Sequence, residues 1–191
     1  MKQHHNITIR EAYKDYTPPV PAAEIVDRLL SGLPPKRLIG LKTVVLTNAA
    51  GLSHDERRAK TWSRKRKVRI RECRGLYHQE WKNEPAWIEL FVDSILQIWP
   101  RATLRIPLLR DLAFSDVLFH ELGHHIHKTQ APEYKEREDV AEDWERRLDR
   151  YYYRRKYWYL APLFLVLWVI VRICRVVGRA VKKARRHDPI R

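Results

Sequence analysis

Along the first third of the chain, prolines at 18, 19, 21, 34 and 35 break the sequence into short pieces. Between them, apolar positions at helical spacing predict a short helix over residues 22–30, stopped at Gly32. Residues 38–47 (LIGLKTVVLT) form an apolar, β-rich run bounded by Asn48 and Gly51, the pattern of a buried strand. Ser53 with Glu56 three positions later has the form of a capping box that opens a further short helix. Residues 67–72 alternate basic side chains with Val68 and Ile70, as a strand with one wet face does, and 75–78 extend it after a kink. The polar stretch 79–85 is a loop. A second strand over 86–95 follows, with Trp87, Glu89, Phe91 and Asp93 on one face and Ile88, Leu90 and Val92 on the other, so the two strands form an antiparallel hairpin. After a connection over 96–107, residues 111–128 carry the apolar face Leu118, Phe119, Leu122 and Ile126 of a helix that Pro132 cannot let continue. A charged helical run then extends from 133 to about 153, and no internal repeat is visible.

The helix over 111–128 contains His120-Glu121-Leu122-Gly123-His124, the H-E-x-x-H spacing. Four residues make just over one turn, so His120 and His124 leave the same side of the helix and their imidazoles can hold one metal ion, expected to be zinc. Glu121 projects one step round the helix, where a carboxylate can act as the catalytic base on the metal's water. Gly123 allows another element to approach closely. A catalytic zinc needs a third protein ligand and an open position. The position six residues after His124 is Gln130, which excludes the three-histidine metzincin arrangement. Candidates follow on the next helix: Glu138, Asp139, Glu142, Asp143 and Glu145. His127, seven residues after His120, is a further candidate as alternative ligand or substrate-oxyanion contact, beside the plainer reading of a solvated histidine near a helix end. Tyr151, Tyr152 and Tyr153 read as aromatic packing at the end of the second helix, with an oxyanion donor as the alternative.

The sequence resembles the gluzincin-type peptidases, in which a glutamate on a second helix completes the zinc site. The segment Glu138-Asp139-Val140-Ala141-Glu142-Asp143-Trp144 is similar to the E-x-x-A pattern that follows H-E-x-x-H in the ImmA/IrrE-like and HtpX-like families. The resemblance spans about residues 86–145. It implies Glu138 as third ligand, Ala141 as a small residue under the site, and Glu142 or Asp143 as a carboxylate that stands behind the ligands or contacts substrate. The aspartate some of these families carry after the alanine is Glu142 here. It further implies an α+β, zincin-like fold: a small mixed sheet, an active-site helix, a following ligand helix, and an antiparallel edge strand above the cleft, a role that suits 86–95.

Charge changes the picture at two places. Residues 57–74 hold ten basic side chains against one acidic, and 172–191 hold eight against one, so two basic patches account for the net charge of +15 and the rest is close to neutral. Such patches suit a polyanionic partner, either anionic lipid or nucleic acid. Between them, residues 157–171 (YWYLAPLFLVLWVIV) are uncharged and almost wholly apolar. As a helix they span about 22 Å against a hydrocarbon core of roughly 30 Å, and basic residues flank both ends, which suits an in-plane or re-entrant membrane anchor. A buried soluble helix is the alternative. Cys73 and Cys174 stand too far apart for a metal or redox spacing and read as free thiols. Residues 1–16 lack the apolar core of a secretory signal.

These observations divide the chain into an N-terminal extension with its leading helix (1–35), a zincin-like domain (36–153), a hydrophobic helix (154–180) and a basic tail (181–191). They predict a zinc metallopeptidase acting on a protein or peptide, in a cytoplasmic domain attached to a membrane surface through 157–177 and the tail. Two other readings stand beside it. One is a nucleic-acid- or membrane-associated regulator with a structural or vestigial metal site. The other is a toxin or anti-repressor component with a single partner protein as substrate.

Overall fold

A computed structural model describes residues 6–52, 55, 58–63, 66–82, 84–130, 138–160, 162 and 172. The chain divides into two compact units, 1–152 and 153–191. The first unit is a mixed α+β domain built on a four-stranded sheet in the order β1 (Thr8–Glu11), β2 (Thr43–Thr47), β6 (Trp87–Phe91), β5 (Gly75–His78). The first three strands run parallel, with Val44 opposite Ile88 and Leu46 opposite Leu90, and β5 runs antiparallel to β6. Parallel strands need a crossover, and helix α1 (Ala22–Ser31) lies in the one from β1 to β2. Its apolar positions 22, 25, 26, 29 and 30 are all buried, the stripe that its sequence spacing predicts. β1 and α1, which lie in the segment expected as an N-terminal extension, belong to the same compact unit as the sheet.

Several elements differ from the sequence expectation, each for a local reason. The run 38–47 becomes a strand only from Thr43, because a short 3-10 turn at Pro35–Arg37 is followed by a reversal at Gly40, whose φ of 88° suits glycine. The strand expected over 86–95 ends at Phe91, and α2 (Val92–Gln97) begins at once. Asp93 sits in the first turn of that helix, where a carboxylate is favoured, and accepts hydrogen bonds from the backbone N–H groups of Ala49 and Ser94. The basic segment splits in two. β4 (Arg66–Arg69) pairs antiparallel with β3 (Lys60–Ser63) as a separate ribbon, and after a 3-10 turn at Ile70–Glu72 the chain joins the main sheet as β5. The hairpin partner of β6 is thus β5 alone. The capping box at Ser53 and Glu56 lies outside the described residues.

Helix α3 (Pro107–Gln130) is longer than its apolar face suggested, since Pro107 occupies the first helical position, where its missing N–H costs nothing. It packs against β5, β6 and α1. From Val117 to His127 it is buried on all sides, which is why polar groups on it need partners. Helix α4 (Glu138–Lys156) is largely polar and buries the stripe Ala141, Leu148 and Tyr152. The Tyr152 hydroxyl donates to Asp111 at 2.9 Å, and Arg28 of α1 donates to the other Asp111 oxygen at 2.6 Å, so one buried carboxylate ties three helices together. Tyr152 is therefore a packing residue, while Tyr153 stacks on Tyr157.

Among the described residues no helix is long and apolar enough to cross a membrane. The hydrophobic helix expected over 154–180 is not supported there: α4 ends at Lys156 and a 3-10 turn follows at Trp158–Leu160. Most of that segment, and all of 181–191, lies outside the described residues.

Candidate metal centre

His120 and His124 leave the buried side of α3 toward α4, and Glu138 in the first turn of α4 meets both. His120 Nε2 lies 3.3 Å from Glu138 Oε2, and His124 Nε2 lies 3.9 Å from Glu138 Oε1. The two imidazoles stand nearly perpendicular, with ring centroids 4.9 Å apart. One donor atom from each residue lies within 4.8 Å of the others. Among the described residues this is the group of histidines and carboxylates able to hold a metal ion. Bonds of about 2.1 Å to a tetrahedral ion place its ligand atoms about 3.4 Å apart, close to the separation of His120 Nε2 from Glu138 Oε2.

The helices are held this close by small residues. A Cβ on Gly123 would lie 2.6 Å from the Ala141 carbonyl oxygen and 2.9 Å from its Cα. The glycine leaves room for the crossing, which falls within the turn that carries the histidines on one helix and about one turn after Glu138 on the other. This is the close approach anticipated for Gly123 and Ala141.

His120 has a second partner. Its Nδ1 lies 3.1 Å from Glu145 Oε2, and Glu145 is two turns beyond Glu138 on the same face of α4. With Nδ1 protonated, Glu145 accepts its hydrogen bond and Nε2 is left on the side of Glu138. The expectation that Glu142 or Asp143 plays this part is corrected. Both contact Arg146, Asp143 at 2.7 Å and Glu142 at 3.7 Å, on the outer side of α4. The seven-residue spacing from Glu138 was the available signal, since positions i and i+7 share a helix face as i and i+4 do. His127 is buried on α3 but does not join the metal-binding group.

Glu121 lies on the other flank, under β5. A Cβ on Gly75 would meet Val117 Cγ1 at 2.6 Å, Glu121 Cγ at 3.0 Å and Glu121 Oε1 at 3.1 Å, so the glycine lets the strand cross this close to both side chains. The backbone N–H of Tyr77 donates to Glu121. Burial pushes the Glu121 carboxyl above the ordinary range, Glu138 adds to the rise, and the neighbouring histidines and the Tyr77 N–H oppose it. Cys73, close by, is buried and its thiol is pushed up to about 11 by burial and then by Glu121 and Glu72, so it is held as an unreactive thiol.

The edge-strand expectation for 86–95 is corrected by the sheet order. β6 is interior, and the antiparallel edge strand beside the site is β5. His125 fixes the turn behind it: its Nε2 donates to the Ile39 carbonyl at 2.9 Å, and its Nδ1 lies 3.4 Å from the Tyr77 hydroxyl. Burial lowers its pKa and keeps it neutral.

No protein-family model matches this chain, and no curated protein or solved structure does either.

Proposed function

We propose that this protein is a zinc-dependent peptidase of gluzincin type with a zincin-like fold, in which His120, His124 and Glu138 hold the metal. The observation that carries the reading is the meeting of these three donors, from two helices, beside the buried carboxylate of Glu121. The donor set fits the ion: two neutral imidazoles and one carboxylate suit zinc in a catalytic site, where a further position stays open. Bound zinc supplies Lewis acidity and a water acidic enough to attack a carbonyl near neutral pH.

The chain's own residues do the rest. Glu145 holds His120 in the tautomer that presents Nε2. Glu121 takes the proton of the attacking water on its carboxylate and delivers it to the leaving amide nitrogen. β5 offers a sheet edge along which an extended peptide can add as a further strand next to Glu121. Attachment to a membrane surface through 157–177 and the basic tail belongs to the same reading, and is supported by the exposure of Trp158 and Tyr159 at its start.

Zinc-loaded protein incubated with a complex peptide library, and the products read by mass spectrometry, tests the activity. Cleavages present with the wild type and absent with Glu121→Gln are expected. Equal cleavage by both proteins excludes the mechanism.

A further inference from the structure

We propose that the β3–β4 ribbon is a nucleic-acid-binding arm that grips the phosphate backbone. Register pairs Lys60 with Arg69 and Trp62 with Lys67, and pairs Ser63 with Arg66 beside the tip. Partners across an antiparallel ladder share a face, so one face of the ribbon collects positions 60, 62, 67 and 69, three cations and an aromatic. Lys67 and Arg69, two positions apart on β4, stand about 7 Å apart, with Lys60 opposite Arg69. The connection from β3 to β4 adds Arg64 and Lys65 to the basic sequence. Among the described residues, Arg58, Lys60 and Arg69 are exposed, and no carboxylate pairs with them. Arg74, by contrast, is spent on Asp116 at 2.8 Å, where it pins the end of the segment to α3.

The two-stranded ribbon is a sheet separate from the main one, and its sequence concentrates a large share of the protein's excess charge. A two-stranded β-ribbon is an element that the DNA major groove admits. An anionic lipid surface fits less well, because a hairpin that enters a membrane carries apolar residues at its tip and this tip reads Ser-Arg-Lys-Arg. The ribbon runs through Ile70–Glu72 directly into β5, the strand over Glu121. Nucleic acid held on the ribbon thus recruits the protein to targets that are themselves bound to nucleic acid. The binding claim stands without the metal reading and is tested without it.

Fluorescence anisotropy of the full chain with a labelled duplex of about 20 base pairs, and with one of its single strands, is measured across about 50 to 200 mM salt. Wild type is compared with Lys60→Glu/Lys67→Glu/Arg69→Glu, with the milder Gln triple variant, and with a tail variant in which Lys182, Lys183, Arg185 and Arg186 become Gln. The ribbon variants are expected to lose at least tenfold in affinity, and the salt slope to fall by about three. A wild-type slope shallower than about −3 overturns the proposal, and so does loss of affinity in the tail variant alone. Vesicles of mixed phosphatidylcholine and phosphatidylserine decide the remaining case: if the ribbon variants lose vesicle binding with DNA binding unchanged, the ribbon is a lipid contact and the proposal fails.

Discussion

Gly123 on α3 faces the backbone of Ala141 on α4 so closely that a single methyl group would fall 2.6 Å from the Ala141 carbonyl oxygen. The obstacle is backbone, so one helix must move. Glu138 lies one turn before Ala141 and moves with it, away from His120 and His124. Gly123→Ala is expected to weaken zinc binding at least tenfold in competition with a chromophoric chelator. It also costs about 1–3 kcal/mol in urea denaturation, less the roughly 1 kcal/mol by which alanine favours a helix interior. Unchanged zinc affinity would mean that the crossing does not position the glutamate.

Glu145 offers a separate test, because it touches a candidate ligand and not the metal position. Glu145→Gln keeps size and hydrogen-bonding reach but loses the charge that draws the Nδ1 proton of His120. Zinc affinity is expected to fall about 10- to 100-fold, with the fold retained by circular dichroism. Glu142→Gln, on the Arg146 side of α4, serves as the control and leaves affinity unchanged.

Asp149 gives the pH dependence. Burial raises its carboxyl to about 6, with Glu145 and Asp116 adding to the rise and a hydrogen bond from Ser115 opposing it. The folded state therefore holds this proton more tightly than the unfolded state does. Its contribution to stability is fully present below about pH 4 and is lost as pH rises through about 6. Asp149→Asn mimics the protonated form. Its Tm is expected to match wild type near pH 4 and to exceed it increasingly up to pH 7. A constant difference across that range would show that Asp149 does not titrate in this way.

Much of the site was legible because its signals are local. His120, Glu121 and His124 share a short spacing on one helix, and Pro132 bars that helix from running on. The stripe of α1 and the alternation of β6 through Leu90 were equally plain. What was missed depends on tertiary choices. Nothing in the alternation of 86–95 tells that Asp93 will open a helix and accept a hydrogen bond from Ala49, 44 residues earlier. Apolar content alone gave no sign that β6 would be interior and β5 the edge. Glu145 stood among the carboxylate candidates without a role of its own, because the pattern around Ala141 points to Glu142 and Asp143, whereas rotation along the helix sends those two toward Arg146 and brings position 145 back toward His120.

Metal analysis of purified protein tests the central claim most directly. Wild type and Glu121→Gln are expected to carry about one zinc ion per chain, and Glu138→Ala well below that, since two imidazoles alone do not make a closed site. Stoichiometric zinc retained in Glu138→Ala, or no zinc bound by the wild type, would contradict the site proposed here.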